Sequence, residues 1–218
     1  MLLAMFSSQA LAAPNYEARK QRYHERQQSL AETWSHKKLT SADVDLLANE
    51  LAGNLKTLAS YWVGSSWGRG IPQSNTPQVG KVNCGTYVGT LLGDIGFVVN
   101  IKKLQRQPSQ GIIRSFVRGK RVRKFSRSTM KDFLASVKEM GPGLFIIGMD
   151  LHVGVLIQTD SELLYTHASS ETGKVVIERA ADAWTIQSSN YRVVGKILSP
   201  AVLRKWLRGK RIEVKGKF

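Results

Sequence analysis

The spacing of hydrophobic and polar positions changes character about two thirds of the way along the chain. Val44, Leu47, Leu51, Leu55 and Leu58 recur every three or four positions after Thr40-Ser41-Ala42-Asp43, which predicts an amphipathic helix with its cap. Before it, Asn15 to about His36 is polar and charged without Gly or Pro, which predicts an exposed helix. Gly68, Gly70, Pro72, Asn75, Pro77 and Gly80 then predict an irregular loop from Trp67 to Gly80. Val82-Asn83-Cys84 leads out of that loop into a run whose Val88, Leu91, Leu92 and Ile95 share one helical face, with Gly96 as its stop. A shorter helix opens at Ser128 or Thr129, carries Phe133, Leu134 and Val137, and ends at Gly141-Pro142-Gly143.

From there the period moves towards two. Leu144–Met149, His152–Gln158, Leu163–Ala168, Lys174–Arg179 and Tyr191–Leu198 predict strands separated by turn residues, and Ser199-Pro200 opens a last helix with Leu203, Trp206 and Leu207. Helices followed by an antiparallel meander give an α+β architecture. The chain shows no internal repeat and no low-complexity segment.

Composition limits what such a chain can be. A length of 218 residues suits one ordinary α/β domain with appended segments or two small domains, and 42% hydrophobic with 22% charged residues argues against a mostly disordered chain. Lys plus Arg number 32 against 16 Asp plus Glu, and the net charge of +16 predicts contact with something anionic: nucleic acid, an acidic lipid surface or an acidic polymer. The charge concentrates in Lys102–Lys124, around apolar Ile112, Ile113, Phe116 and Val117, and in the tail after Leu207. Cys84 is the single cysteine, so neither a disulfide framework nor a thiolate metal cluster can form within one chain.

Residues 1–13 are an apolar stretch ending in Ala10-Leu11-Ala12, the small-x-small form of a signal-peptidase site. It is too short to span a bilayer and has no cysteine to accept a lipid, so the expectation is a signal peptide or apolar leader of an exported protein, periplasmic or secreted. It lacks the basic start of a signal peptide, as a start inside a longer precursor would give. No later run approaches membrane-spanning length.

The chemistry gathers where the helical and strand-rich halves meet. A cysteine at a helix start, here Cys84 between Asn83 and Gly85, has unpaired backbone N–H groups and the positive helix end beside it. These favour a thiolate and can hold a developing oxyanion. A lone cysteine is more often a small buried hydrophobe; the helix start, the small neighbour Gly85 and a suitable base further on favour the nucleophile. His152 opens a predicted strand and is the candidate general base. His167 lies on the next strand, and a hairpin at Thr159-Asp160-Ser161 brings the two together, so His167 can accept the second ring N–H of His152 and fix its tautomer. His24 and His36, in the polar N-terminal segment, read as solvated. A metal site built from His152, His167 and Asp150 lacks the compact spacing of metal ligands, so no metal and no cofactor are expected.

These residues carry a family resemblance. Cys84-Gly-x-Tyr-Val at a helix start, then His152-Val-Gly-Val-Leu-Ile, then Tyr165-Thr-His167-Ala-Ser, resembles the NlpC-type papain-like cysteine peptidases, bacterial cell-wall endopeptidases and amidases. The resemblance spans roughly Leu58 to Leu198 and implies a papain-like fold with Cys84, His152 and His167 as catalytic residues. It also implies that Tyr61, in Tyr61-Trp62-Val63-Gly64, turns its hydroxyl to the site. Asn83-Cys84-Gly85-Thr86 stands where the family has Asp-Cys-Ser-Gly, the preceding loop and the basic insertion 102–124 are longer, and the His152–His167 hairpin is stretched. The implied division is a leader at 1–13, an N-terminal helical segment at 14–57, the peptidase-like domain at 58–200 and a C-terminal helix with basic tail at 201–218. The implied activity is hydrolysis of an amide in the peptidoglycan stem through an acyl-enzyme, with peptidoglycan or another anionic envelope polymer as partner. Two other readings stand beside it. One is a binding protein of the same fold without turnover. The other is a nucleic-acid binder, motivated by the basic run 118–124, although no nucleic-acid motif of recognisable geometry is present and specific nucleic acid is not expected.

Overall fold

A computed structural model describes residues 3–216. The expected leader falls partly on residues 1 and 2, outside the described residues, and partly on the start of the first helix, whose side chains through residue 14 are likewise outside them. In chain order the elements are α1 (Leu3–Trp34), α2 (Ser41–Trp62), β1 (Ser66–Trp67), β2 (Lys81–Val82), α3 (Cys84–Asp94), α4 (Ile101–Leu104), α5 (Ser109–Phe116) and β3 (Val122–Ser126). They continue with α6 (Met130–Glu139), β4 (Gly143–Met149), β5 (Val153–Gln158), β6 (Leu163–Ser169), β7 (Lys174–Arg179), α7 (Trp184–Gln187), β8 (Tyr191–Lys196) and α8 (Pro200–Leu207). The eight strands form one sheet in the order β2-β1-β7-β6-β5-β4-β8-β3, antiparallel except for the short β1–β2 pair. The architecture is α+β. Among the described residues no helix is long and apolar enough to cross a membrane.

Both faces of the sheet are covered. Leu51, Leu55 and Leu58 of α2, Val88 and Leu91 of α3, and Ile112 and Ile113 of α5 pack with Ile146, Val155 and Ile157 on one side. Phe133 and Val137 of α6 and Ile186 of α7 pack with Phe145, Ile147, Leu156 and Tyr165 on the other. Burial on both faces explains why β4 and β5 read as near-continuous apolar runs rather than a strict alternation.

The structure corrects three details of the sequence reading. The N-terminal helix is not an exposed rod: Tyr16 is fully buried, its hydroxyl donating to Asp94 (2.6 Å) and accepting from Trp62 Nε1 (2.9 Å). Gln27 is buried too and donates to the Trp206 carbonyl at 2.6 Å. Its docking stripe is partly polar, which a hydrophobicity pattern does not register. The basic stretch 102–124 holds α5 and the start of β3, an edge strand paired with β8 from Val122↔Gly195 to Ser126↔Tyr191. The loop from Trp67 is bounded by β1 and β2, which pair with each other and, at Ser66↔Lys174, with β7.

Candidate active site

Cys84 is the first residue of α3 because the chain before it is held extended and capped. Asn83 has φ −95° and ψ 171°, and its side-chain oxygen accepts the Thr86 N–H at 2.8 Å, satisfying one of the free donors of the first turn. Gln73 sets this register from the loop. Its Oε1 accepts the Asn83 N–H at 2.6 Å, while its Nε2 donates to the carbonyl of Gly68 at 2.9 Å and to that of Gly70. Gly85 is required by α4: a Cβ there would lie 2.6 Å from the Gln105 carbonyl oxygen. The helix then docks on β6, with Tyr87 Oη 2.6 Å from Thr166 Oγ1.

The half-buried Cys84 sulfur lies within hydrogen-bonding reach of the Val153, Gly85 and Cys84 N–H groups, and the Arg69 guanidinium contributes a nearby positive charge. The Val153 contact places the thiol at the start of β5, beside His152. A tight turn, in which Met149 N–H donates to the His152 carbonyl at 2.9 Å, delivers His152 to that end of the strand.

His152 Nε2 lies 2.7 Å from His167 Nδ1, the two rings edge to face at 82°. His167 Nε2 lies 3.0 Å from Glu178 Oε1. Strand register builds this relay. Val155↔Thr166 sets Gly154 opposite His167, and His167↔Val176 places Glu178 two residues further along β7 on the same face. Tyr165 stacks on His167 with centroids 4.3 Å apart at 21°. Only a glycine fits at 154, since a Cβ would meet Tyr165 Cε2 at 2.4 Å.

With an ionised Glu178, one proton arrangement satisfies every contact. His167 Nε2–H donates to Glu178, His167 Nδ1 accepts from His152 Nε2–H, and His152 Nδ1 carries a lone pair. Burial dominates the electrostatics. It pushes His152 down to about 4, and together with the neighbouring His152 it pushes His167 down to about 3. Burial also raises the Cys84 thiol, outweighing the three N–H contacts and Arg69. Glu178 is raised by burial, then by Glu171 and Asp182. The thiolate that the helix start favours is thus opposed by burial, which biases the Cys84 thiol and both imidazoles towards their neutral forms. His167 stays neutral despite the Glu178 carboxylate because the imidazole is 1% exposed whereas Glu178 is 32% exposed and its charge is screened by solvent.

The structure joins His152 to His167 by a hydrogen bond and sets Cys84, flanked by Asn83 and Gly85, against the backbone N–H of Val153, the residue after His152. It does not join Tyr61 to them. Tyr61 sits edge-on against Tyr16 with centroids 5.6 Å apart, and its described hydrogen bond is through its carbonyl, to Gln78. Asn83 is committed to capping, so the oxyanion candidates that face the sulfur are backbone N–H groups. Asp150 accepts from Ser189 and from the Asn190 N–H, and among the described residues no group of His, Cys, Asp and Glu is arranged to hold a metal ion. His24 and His36 are exposed. Glu178, Gln73 and Arg69 were missed from sequence; a 165–178 pairing drawn from the Thr172-Gly173 turn would have found Glu178 alone.

No family model matches the chain, and no curated protein does. Among solved structures it is similar to crystal structures of an N-acetylmuramoyl-L-alanine amidase from Bacteroides uniformis. In one, TM-score is 0.36 at 13% identity, covering 67% of this chain and 98% of that one. In another the TM-score is 0.35 at 11% identity, covering 64% and 97%. A likeness of this size carries no functional argument, so function is argued from the site.

Proposed function

We propose that this chain is a cysteine hydrolase that cleaves an amide bond through an acyl-enzyme, with Cys84 as nucleophile, His152 as general base and acid, and His167 as the orienting group. The observation that carries the reading is the relay Glu178–His167–His152, which with an ionised Glu178 assigns the lone pair to His152 Nδ1 at the start of β5, where the Val153 N–H meets the Cys84 sulfur. Because burial disfavours both separated charges, the thiol proton passes to His152 as sulfur attacks the carbonyl. The imidazolium formed is stabilised through His167 and Glu178. The N–H groups around the sulfur stabilise the developing oxyanion. His152 then protonates the leaving amine, and water assisted by the same imidazole releases the acyl group. The residues need no cofactor for these steps.

The substrate we propose is an amide of the peptidoglycan stem, supported by the resemblance of the Cys84, His152 and His167 segments to NlpC-type enzymes; export to the envelope follows from the same reading and from the apolar leader. The test is mass spectrometry of muropeptides after incubation with wild type and with Cys84→Ala. The reading expects cleavage products with wild type alone. Equal products with both would overturn the nucleophile, and no products with wild type would overturn the substrate.

A further inference from the structure

The basic residues of the middle segment and of the C-terminal region, separated by about eighty positions in sequence, meet on one side of the fold. Three adjoining clefts of about 550, 280 and 390 Å³ run between the α2 start, α5, β3, β8 and α8. Arg121 and Ser199 line both the first and the third, and Arg114 and Arg118 line both the second and the third, so the clefts form one continuous groove. Nine Lys and Arg side chains line it against one carboxylate, Glu213. Among the described residues only Arg123 of the nine has a carboxylate within ion-pair distance, Glu139 at 2.9 Å. Such crowding raises the free energy of the empty groove. Lys196, half-buried, is held below its ordinary value by burial and by the charge of Arg121.

The Lys196 end of the groove lies apart from the thiol, while Val193 at its other end is two strands from Val153 through Gly148. Lys196 pairs with Phe145, four β4 positions before Met149, which places it about 13 Å along the sheet from the His152 turn. We infer that this groove is a docking surface for a linear anionic glycan, a polymer chain with regularly spaced carboxylate or phosphate groups, and that it holds such a chain independently of the Cys84 site. A concave track of cations, eight of the nine without a carboxylate partner among the described residues, fits a strand better than a bilayer. None of the exposed large hydrophobic residues among those described, such as Ile71, Leu151 and Trp184, lines it to enter lipid. Nucleic acid is disfavoured because the one aromatic residue in the lining, Phe116, is 6% exposed and offers no face for stacked bases.

The test measures binding of fluorescent polygalacturonate by the full-length Cys84→Ala protein, so failure of the catalytic reading does not touch it. The comparison is Arg114→Gln/Arg118→Gln/Lys205→Gln in the same background, three exposed side chains whose neutralisation leaves the core intact. With about six charge contacts and a slope of about 0.7 per contact, affinity should fall roughly 300-fold between 50 and 200 mM salt, and roughly 20-fold in the variant if three contacts are lost. Folding is checked by thermal unfolding, whose midpoint should not fall, since fewer crowded cations remain. Identical salt slopes for both proteins, or no binding of the glycan, would overturn the proposal. Tighter binding of a thymidine 30-mer than of an abasic 30-mer of equal charge would replace the glycan by nucleic acid. Preferential cosedimentation with phosphatidylglycerol–phosphatidylcholine vesicles would replace it by a membrane.

Discussion

His167 offers the sharpest test of the electrostatics at the site. In the unfolded chain an imidazole titrates near 6.5, whereas burial and His152 hold it at about 3 in the fold. Between those values the unfolded chain binds the extra proton and the folded one does not, so stability falls as pH falls through that window and the loss is absent above about 6.5. For a group only 1% exposed the full shift is the relevant bound. Between pH 7 and pH 5 it amounts to about 2 kcal/mol, from a cost of about 1.4 kcal/mol per pH unit once the unfolded imidazole is charged. His167→Asn removes the titrating group yet keeps an oxygen that can accept the His152 N–H. Urea unfolding at the two pH values should therefore show wild type losing about 2 kcal/mol more than the variant. An equal loss would mean that His167 is not held neutral. A smaller loss in wild type would mean that it pairs as a cation with Glu178, and the proton arrangement assigned to His152 would then be wrong, since a protonated His167 donates to His152 Nε2 and forces the proton onto Nδ1.

Three further outcomes follow from the same geometry. Glu178→Ala should lower kcat about 10–100-fold with KM little changed, the weight of one charge-assisted hydrogen bond of about 1.5–3 kcal/mol, while Glu178→Gln keeps an acceptor and should retain more; steady-state kinetics on the cleaved muropeptide decides, and equal loss in both would remove Glu178 from the relay. Because burial raises the Cys84 thiol, thiolate absorbance near 240 nm (wild type minus Cys84→Ser) should be absent at pH 7 and grow only as pH rises past the ordinary thiol value of about 8.5; a thiolate already present at neutrality would show that the helix start outweighs burial. Gly154→Ala should cost about 1–3 kcal/mol in urea unfolding and unseat the Tyr165–His167 stack, because the new methyl would lie 2.4 Å from the Tyr165 ring; an unchanged midpoint would show that the ring has room to move.

What the sequence made legible follows from how each signal is encoded. The strands β4 to β8 and the α3 start at Cys84 rest on local periodicity and on the Asn83 cap, and both survive into the fold. Tyr16 and Gln27 dock α1 through hydrogen bonds to Asp94 and to the Trp206 carbonyl, which are distant in sequence and invisible to a hydrophobic pattern. β3 was hidden because an edge strand needs one apolar face only, and its Arg123 and Lys124 made it read as part of the basic insertion 102–124. Glu178 joins the relay through register across two hairpins, a property of paired strands rather than of any segment. The balance of effects at Cys84 is not legible for a related reason. The helix start was visible, but the desolvation that outweighs it comes from the packed surroundings.

The eight-stranded sheet has two free margins, and they are finished differently. At one, β1 and β2 are two residues long, too short to template another chain. At the other, β3 is five residues long and would offer its unpaired backbone to a neighbouring molecule, but it carries exposed Lys124 and half-buried Arg123 and is flanked by Lys120 and Arg121. Two copies meeting there edge to edge would bring these cations together. The charge on this margin is thus also a solubility device. Neutralising Lys120, Arg121 and Lys124 together should increase self-association through β3, with the strands added in cross-β fashion at high concentration.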